Sequence, residues 1–134
     1  MSAARRILVV NDDDDALTLL RHALQREFPG VTLLEFNEAD QALAVLRKES
    51  VDAIVTDYRM PRISGVEFVR QLRRWDHHTP IIMLTGSDET RADAREAGVT
   101  TFIGSGSWVE IVREIRGTLE QCGFGDGRGR AEID

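Results

Sequence analysis

The sequence predicts an α/β fold built on a doubly wound, five-stranded parallel sheet in the order 2-1-3-4-5. Three observations lead there. Short apolar runs alternate along the chain with helical periodicities. Three of those runs are apolar almost throughout, as strands covered on both faces are, and two others mix polar with apolar positions, as sheet edges do.

The first run, Ile7 to Val10, is wholly apolar and predicts an interior strand. Leu17, Leu20, Leu24 and Phe28 then recur on one helical face before Pro29-Gly30 stops the first helix. Val31 to Phe36 mixes Thr and Glu with apolar residues and predicts an edge strand. Ala39, Ala42, Leu43 and Leu46 mark the second helix, and Ala53 to Thr56 the third strand, again interior. Val66, Val69 and Leu72 mark the third helix, and Ile81 to Leu84 the fourth strand. The fourth helix, Asp88 to Ala97, offers only Ala92, Ala94 and Ala97 for burial, so it is expected to be the least firmly anchored. Thr100 to Ile103 suits the opposite edge, and Trp108, Val112, Ile115 and Leu119 carry the fifth helix. Both tryptophans, Trp75 and Trp108, are expected to pack in the core. Residues 1–122 read as one domain. Residues 123–134, with glycine at alternate positions and no apolar periodicity, read as a flexible tail or the start of a linker.

A chain of 134 residues with 42% hydrophobic and 30% charged residues is long enough for one domain with its own core. No apolar run approaches the roughly 20 residues of a membrane span, and no signal-type apolar region follows Met1, so a cytoplasmic protein without membrane contact is expected. A formal charge of -6 argues against direct nucleic-acid binding and in favour of protein partners. Cys122 is the single cysteine, which excludes an intrachain disulfide.

The chemistry gathers at strand ends. Asp57 closes the third strand and opens the turn Tyr58-Arg-Met-Pro-Arg-Ile-Ser-Gly65, while Asn11-Asp12-Asp13-Asp14-Asp15 follows the first strand. Adjacent parallel strands bring these ends to one side of the sheet, where carboxylates can hold a hard cation such as Mg2+ and leave an oxygen free as a nucleophile. Asp13, Asp14 and Asp15 suit the amino end of the first helix better than a metal. His77-His78 sit in a loop with no further ligands nearby, so a metal role there is not expected.

The acidic cluster after strand one, Asp57-x-x-Met-Pro-x-x-x-Gly65 after strand three and Leu84-Thr85-Gly86 after strand four together resemble the receiver domain of bacterial response regulators, over roughly residues 5 to 121. The resemblance implies a flavodoxin-like (βα)5 fold and a set of roles. Asp57 becomes the phosphoacceptor, taking a phosphoryl group from a phosphohistidine on a histidine kinase or histidine phosphotransfer protein. Asp12, Asp57 and the Arg59 backbone carbonyl become ligands of Mg2+, or of Mn2+ in its place, with Asn11 a weaker participant through water. Thr85 offers its hydroxyl to a phosphoryl oxygen, Gly86 leaves room for that group, and Phe102 is the aromatic switch residue. A downstream protein target, or a second copy of the chain, would meet the face formed by helix four, strand five and helix five. The expectation is a stand-alone receiver and not a turnover enzyme.

Two positions depart from the family pattern. Asn11 occupies the first of the two usual acidic positions, and Ser105 stands where the family has a lysine, the chain's only lysine being Lys48. A hydrogen bond to a charged group is worth roughly 1.5–3 kcal/mol, so loss of the lysine contact weakens a switch by roughly ten- to a hundredfold. A receiver that docks without phosphorylation is therefore the alternative. Losing one carboxylate and one ammonium leaves the formal site charge unchanged, which suggests that Asn11 offsets Ser105. Arg59 and Arg62, in the loop after Asp57, could reach a phosphoryl oxygen from the solvent side, although a solvated loop arginine is the favoured reading of each. A haloacid-dehalogenase-type phosphatase would need a second acid at position 59, where Arg59 stands.

Overall fold

The computed structural model describes residues 5–85, 90–104 and 107–122. Among the described residues strands and helices alternate: β1 (Arg6–Val10), α1 (Asp14–Glu27), β2 (Thr32–Phe36), α2 (Ala39–Leu46), β3 (Ala53–Asp57), α3 (Gly65–Leu72), β4 (Ile81–Leu84), α4 (Arg91–Ala97), β5 (Thr101–Ile103) and α5 (Trp108–Gln121). The five strands form one sheet in the order β2-β1-β3-β4-β5, with the pairs β1–β2, β1–β3, β3–β4 and β4–β5 all parallel. No helix among the described residues is long and apolar enough to cross a membrane.

Strand alternation divides the core into two. Leu8, Val10, Ile54, Ile81 and Met83 face α2, α3 and α4, whereas Ile7, Val9, Val55, Ile82 and Ile103 face α1 and α5. This two-sided burial is why β1, β3 and β4 read as unbroken apolar runs. The edge strands β2 and β5 are only partly buried.

The starts of α1, α3 and α5 are specified by short polar side chains. Asp13 caps α1, accepting from the amides of Asp15 and Ala16 at 2.9 and 3.3 Å, with Asp14 and Asp15 in the first turn. Ser64 caps α3, and Ser107 forms a reciprocal capping box with Glu110 at α5.

Several expectations change. Both tryptophans pack against the core as expected, but each is only half-buried. Trp75 lies beyond α3, where its indole N–H donates to the Leu46 carbonyl at 3.4 Å and the Arg47 guanidinium sits 4.4 Å from its ring centre. Trp108 is the first residue of α5 and covers the core from its edge, and Ile111, one turn on, is buried within it. Phe28 falls one residue past α1 and packs against the core from there. In α4 only Ala94 is buried, and Ala92 is exposed. That helix is nevertheless anchored by a polar latch at its end. Gly98 closes it with φ +117°, and Arg73 donates to the Gly98 carbonyl from Nε and Nη2 at 3.1 and 2.9 Å. The expected start at Asp88 lies outside the described residues, as does the tail from residue 123.

Candidate functional site

Parallel strands end together, so the carboxyl ends of β1, β3, β4 and β5 share one edge of the sheet. There they border an open cleft of about 530 Å³ whose walls include Asn11, Asp57, Arg59 and Thr85. These residues come from three separate connections, and the sheet register brings them together: Val10 pairs with Thr56, and Asp57 with Leu84.

Asp57 is half-buried. Its Oδ1 accepts from the Tyr58 amide at 2.9 Å. Burial is the main cause that pushes its carboxyl above the usual range, and repulsion from Asp12 adds to it. The Tyr58 and Arg59 amides and the Arg59 charge pull the other way without cancelling the rise. The backbone beneath is fixed by close approach to α3. A Cβ at Gly65 would stand 2.2 Å from the Asp57 carbonyl oxygen, so any side chain there pushes the acceptor's own peptide. The Gly65 amide also donates to the Tyr58 carbonyl at 2.8 Å.

The acidic run after β1 separates by task. Asn11 is buried, its amide continues the sheet ladder to the Phe36 carbonyl at 3.0 Å, and its Oδ1 accepts from the Asp13 amide at 3.0 Å. Asp12 is exposed and close enough to repel Asp57, and Asp13 is the helix cap. Among the described residues no three His, Cys, Asp or Glu side chains gather as metal ligands, and the position before Asp12 holds an amide. The donors present are nonetheless hard oxygens: two carboxylates, an amide oxygen and the Arg59 carbonyl. A divalent cation suits this set, since it would offset the repulsion between Asp12 and Asp57.

Of the remaining candidates, Thr85 directly follows β4 and Phe102 lies on β5. Thr85 is buried, its amide donates to the Ile103 carbonyl at 3.0 Å, and its hydroxyl lies 3.0 Å from that of Thr90. Phe102 is half-buried outside the cleft, on the α4 side of β5, with the Arg91 and Arg95 guanidiniums 5.6 and 5.2 Å from its ring centre. Gly86 and Ser105 fall outside the described residues. The two loop arginines part company: Arg59 borders the cleft, whereas Arg62 pairs with Glu38 at 2.7 Å and Asp40 at 3.7 Å. Arg62 also carries a positive φ of 68°, a strained value for a residue with a side chain.

Sequence reasoning missed Thr90 and Trp108, both of which border the cleft. The signal for Trp108 was its position: a residue opening a helix directly after β5 starts at the same edge of the sheet as Asp57.

The model of the response regulator receiver domain matches residues 7–104. The chain belongs to that family. It is 39% identical over 101 residues to the cyclic di-GMP phosphodiesterase response regulator RpfG of Xanthomonas campestris pv. campestris, a match covering 72% of this chain and 27% of RpfG. It is 33% identical over 130 residues to the transcriptional regulatory protein CpxR of Klebsiella pneumoniae, covering 95% of this chain and 54% of CpxR. The chain thus spans about half or less of these relatives. Among solved structures, the chemotaxis response regulator CheY4 of Vibrio cholerae superposes with a TM-score of 0.74 at 24% identity, over 87% of this receiver and 99% of CheY4, a likeness of fold.

Proposed function

We propose that this receiver accepts a phosphoryl group on Asp57 from a phosphohistidine of a partner histidine kinase or phosphotransfer protein. One observation carries the reading: a half-buried carboxylate at the end of β3 faces an open cleft that also holds Asn11, Arg59 and Thr85. An Asp57 carboxylate oxygen attacks phosphorus, the P–N bond to the donor imidazole breaks, and the imidazole leaves with a proton from solvent. The product is an acyl phosphate. Receivers of this family bind Mg2+ in their acidic pocket, and here Asp12, Asp57, the Arg59 carbonyl and, more weakly, Asn11 would hold it. Such a cation neutralises charge on the approaching phosphoryl oxygens.

The chain's own residues orient the acceptor. The Tyr58 amide holds Oδ1 and so fixes the orientation in which the carboxylate meets the phosphoryl group. The Thr85 hydroxyl, now beside Thr90, is the donor that would turn to the phosphoryl group. Output passes to a protein target through α4, β5 and α5, where Phe102 lies beneath two arginines. No role in binding nucleic acid is assigned to this domain, although CpxR is named a transcriptional regulator.

A second reading, docking without phosphorylation, is favoured by Ser105 in the lysine position and by Lys48, which lies in the connection leading to the opposite end of β3. Intact-mass measurement after incubation with acetyl phosphate and Mg2+ separates the two. Addition of one phosphoryl group, lost in Asp57→Asn, supports the acceptor. An unchanged mass under conditions that label an ordinary receiver supports docking alone.

A further inference from the structure

With Ser105 in place of the lysine, a phosphoryl group on Asp57 would lack its usual ammonium partner, so the question is which other cation can reach the cleft. Lys48 is excluded by position, since it precedes β3 and Asp57 ends it. Arg62 is engaged by Glu38 and Asp40 and points its charge at the α2 side. Arg91 stacks over Phe102, and although its Nη2 comes within 3.5 Å of where a Gly104 Cβ would stand, it does not border the cleft. Arg59 does border it, two residues from the acceptor. Of the charges acting on Asp57, Arg59 is the cation and Asp12 the anion.

We propose that the Arg59 guanidinium replaces the missing lysine, pairing with the phosphoryl oxygens on Asp57 from the solvent rim of the cleft. This deepens the acceptor reading and rests on it. The chemistry suits the task. A guanidinium stays charged at any working pH and presents paired N–H donors that match two phosphoryl oxygens. Its exposed, screened position makes it a weaker partner than a buried ammonium. Arg59 thereby has two separable parts: the main-chain carbonyl assigned to the cation, which every substitution retains, and the side chain assigned to the phosphoryl group.

Beryllofluoride, a phosphoryl mimic, tests this when titrated with saturating Mg2+ against the full chain and its variants by calorimetry. Arg59→Ala is expected to weaken binding roughly tenfold, the lower end of a charged hydrogen bond, with Arg59→Lys falling between. Arg62→Gln in the same loop should bind as wild type. Ser105→Lys should recover most of the loss in the Arg59→Ala background and gain less in the wild type, because the two cations serve one phosphoryl group. Equal affinity of wild type and Arg59→Ala overturns the proposal. So does an equal loss in Arg62→Gln, or an equal gain from Ser105→Lys in both backgrounds. A wild-type protein that binds no beryllofluoride overturns the acceptor reading itself, a result distinct from any of these.

Discussion

Gly65→Ala is the smallest change that should move the acceptor without altering its carboxylate. A methyl group at this position would stand 2.2 Å from the Asp57 carbonyl oxygen, 3.1 Å from the Met83 Cε and 3.1 Å from the Tyr58 Cα. The methionine can yield by turning its flexible end, but the oxygen cannot move without its peptide. Ordinary contact begins near 3.4 Å, so α3 and the end of β3 must part by about 1 Å, straining the 2.8 Å hydrogen bond from the Gly65 amide to the Tyr58 carbonyl. Forcing a methyl into a packed contact costs about 1–3 kcal/mol. A 1 Å displacement of a reacting group costs on the order of 10²-fold in rate. The assay is the initial rate of labelling by acetyl phosphate with Mg2+, alongside a thermal melt. The expected result is a melting temperature lowered by several degrees and labelling slowed between ten- and a hundredfold. Wild-type labelling at wild-type stability would refute the claim that the Gly65 contact sets the position of Asp57.

Three further outcomes follow from charge. Burial and Asp12 hold the Asp57 pKa above its ordinary value of 3.8, so the stability this group confers is fully present below that value and is lost as pH rises through the raised pKa. Without Mg2+, Asp57→Asn should therefore be the more stable protein at neutral pH, by up to about 1 kcal/mol, and equal to wild type in acid, as read by urea denaturation at both pH values. Asp76 has the opposite sign. Burial pushes its carboxyl up, but the Thr79 hydroxyl, the Thr79 and His78 amides and Arg73 outweigh burial and hold it below 3.8. Its contribution is present above 3.8 and lost as pH falls through the lowered pKa. Asp76→Asn should cost about 2 kcal/mol at neutral pH, with the gap closing in acid; a gap that does not change with pH contradicts the assignment. Finally, Asn11→Asp should raise Mg2+ affinity and Ser105→Lys lower it, measured by calorimetry singly and together. If Asn11 offsets Ser105, the double variant departs from the sum of the singles, and simple additivity refutes the compensation.

The architecture was legible because burial on both faces of a parallel sheet writes itself as unbroken apolar runs, and the helices as regular spacing. Asp57, Asn11 and Thr85 were legible for a related reason: residues that end parallel strands must share an edge. What escaped depends on contacts between distant positions. Arg59 and Arg62 are equivalent as letters in one loop, and only the approach of Glu38 and Asp40 from α2 distinguishes them. The anchoring of α4 rests on Arg73, whose guanidinium reaches the Gly98 carbonyl across 25 residues of chain. Apolar periodicity carries no trace of such a latch. Trp108 packs against the core as its helical spacing predicts, but spacing does not show that the first residue of α5 also borders the cleft, where an indole can be half-covered.

Phosphorylation of this receiver would create a single covalent bond, between an Asp57 carboxylate oxygen and phosphorus. Borohydride reduces an aspartyl phosphate to homoserine and leaves free carboxylates alone, so it records the acceptor's position directly. After treatment with acetyl phosphate and Mg2+, reduction and peptide mass analysis should place homoserine at position 57 and nowhere else. Homoserine at Asp12 or another aspartate, or none in a protein that has demonstrably gained a phosphoryl group, would contradict the assignment.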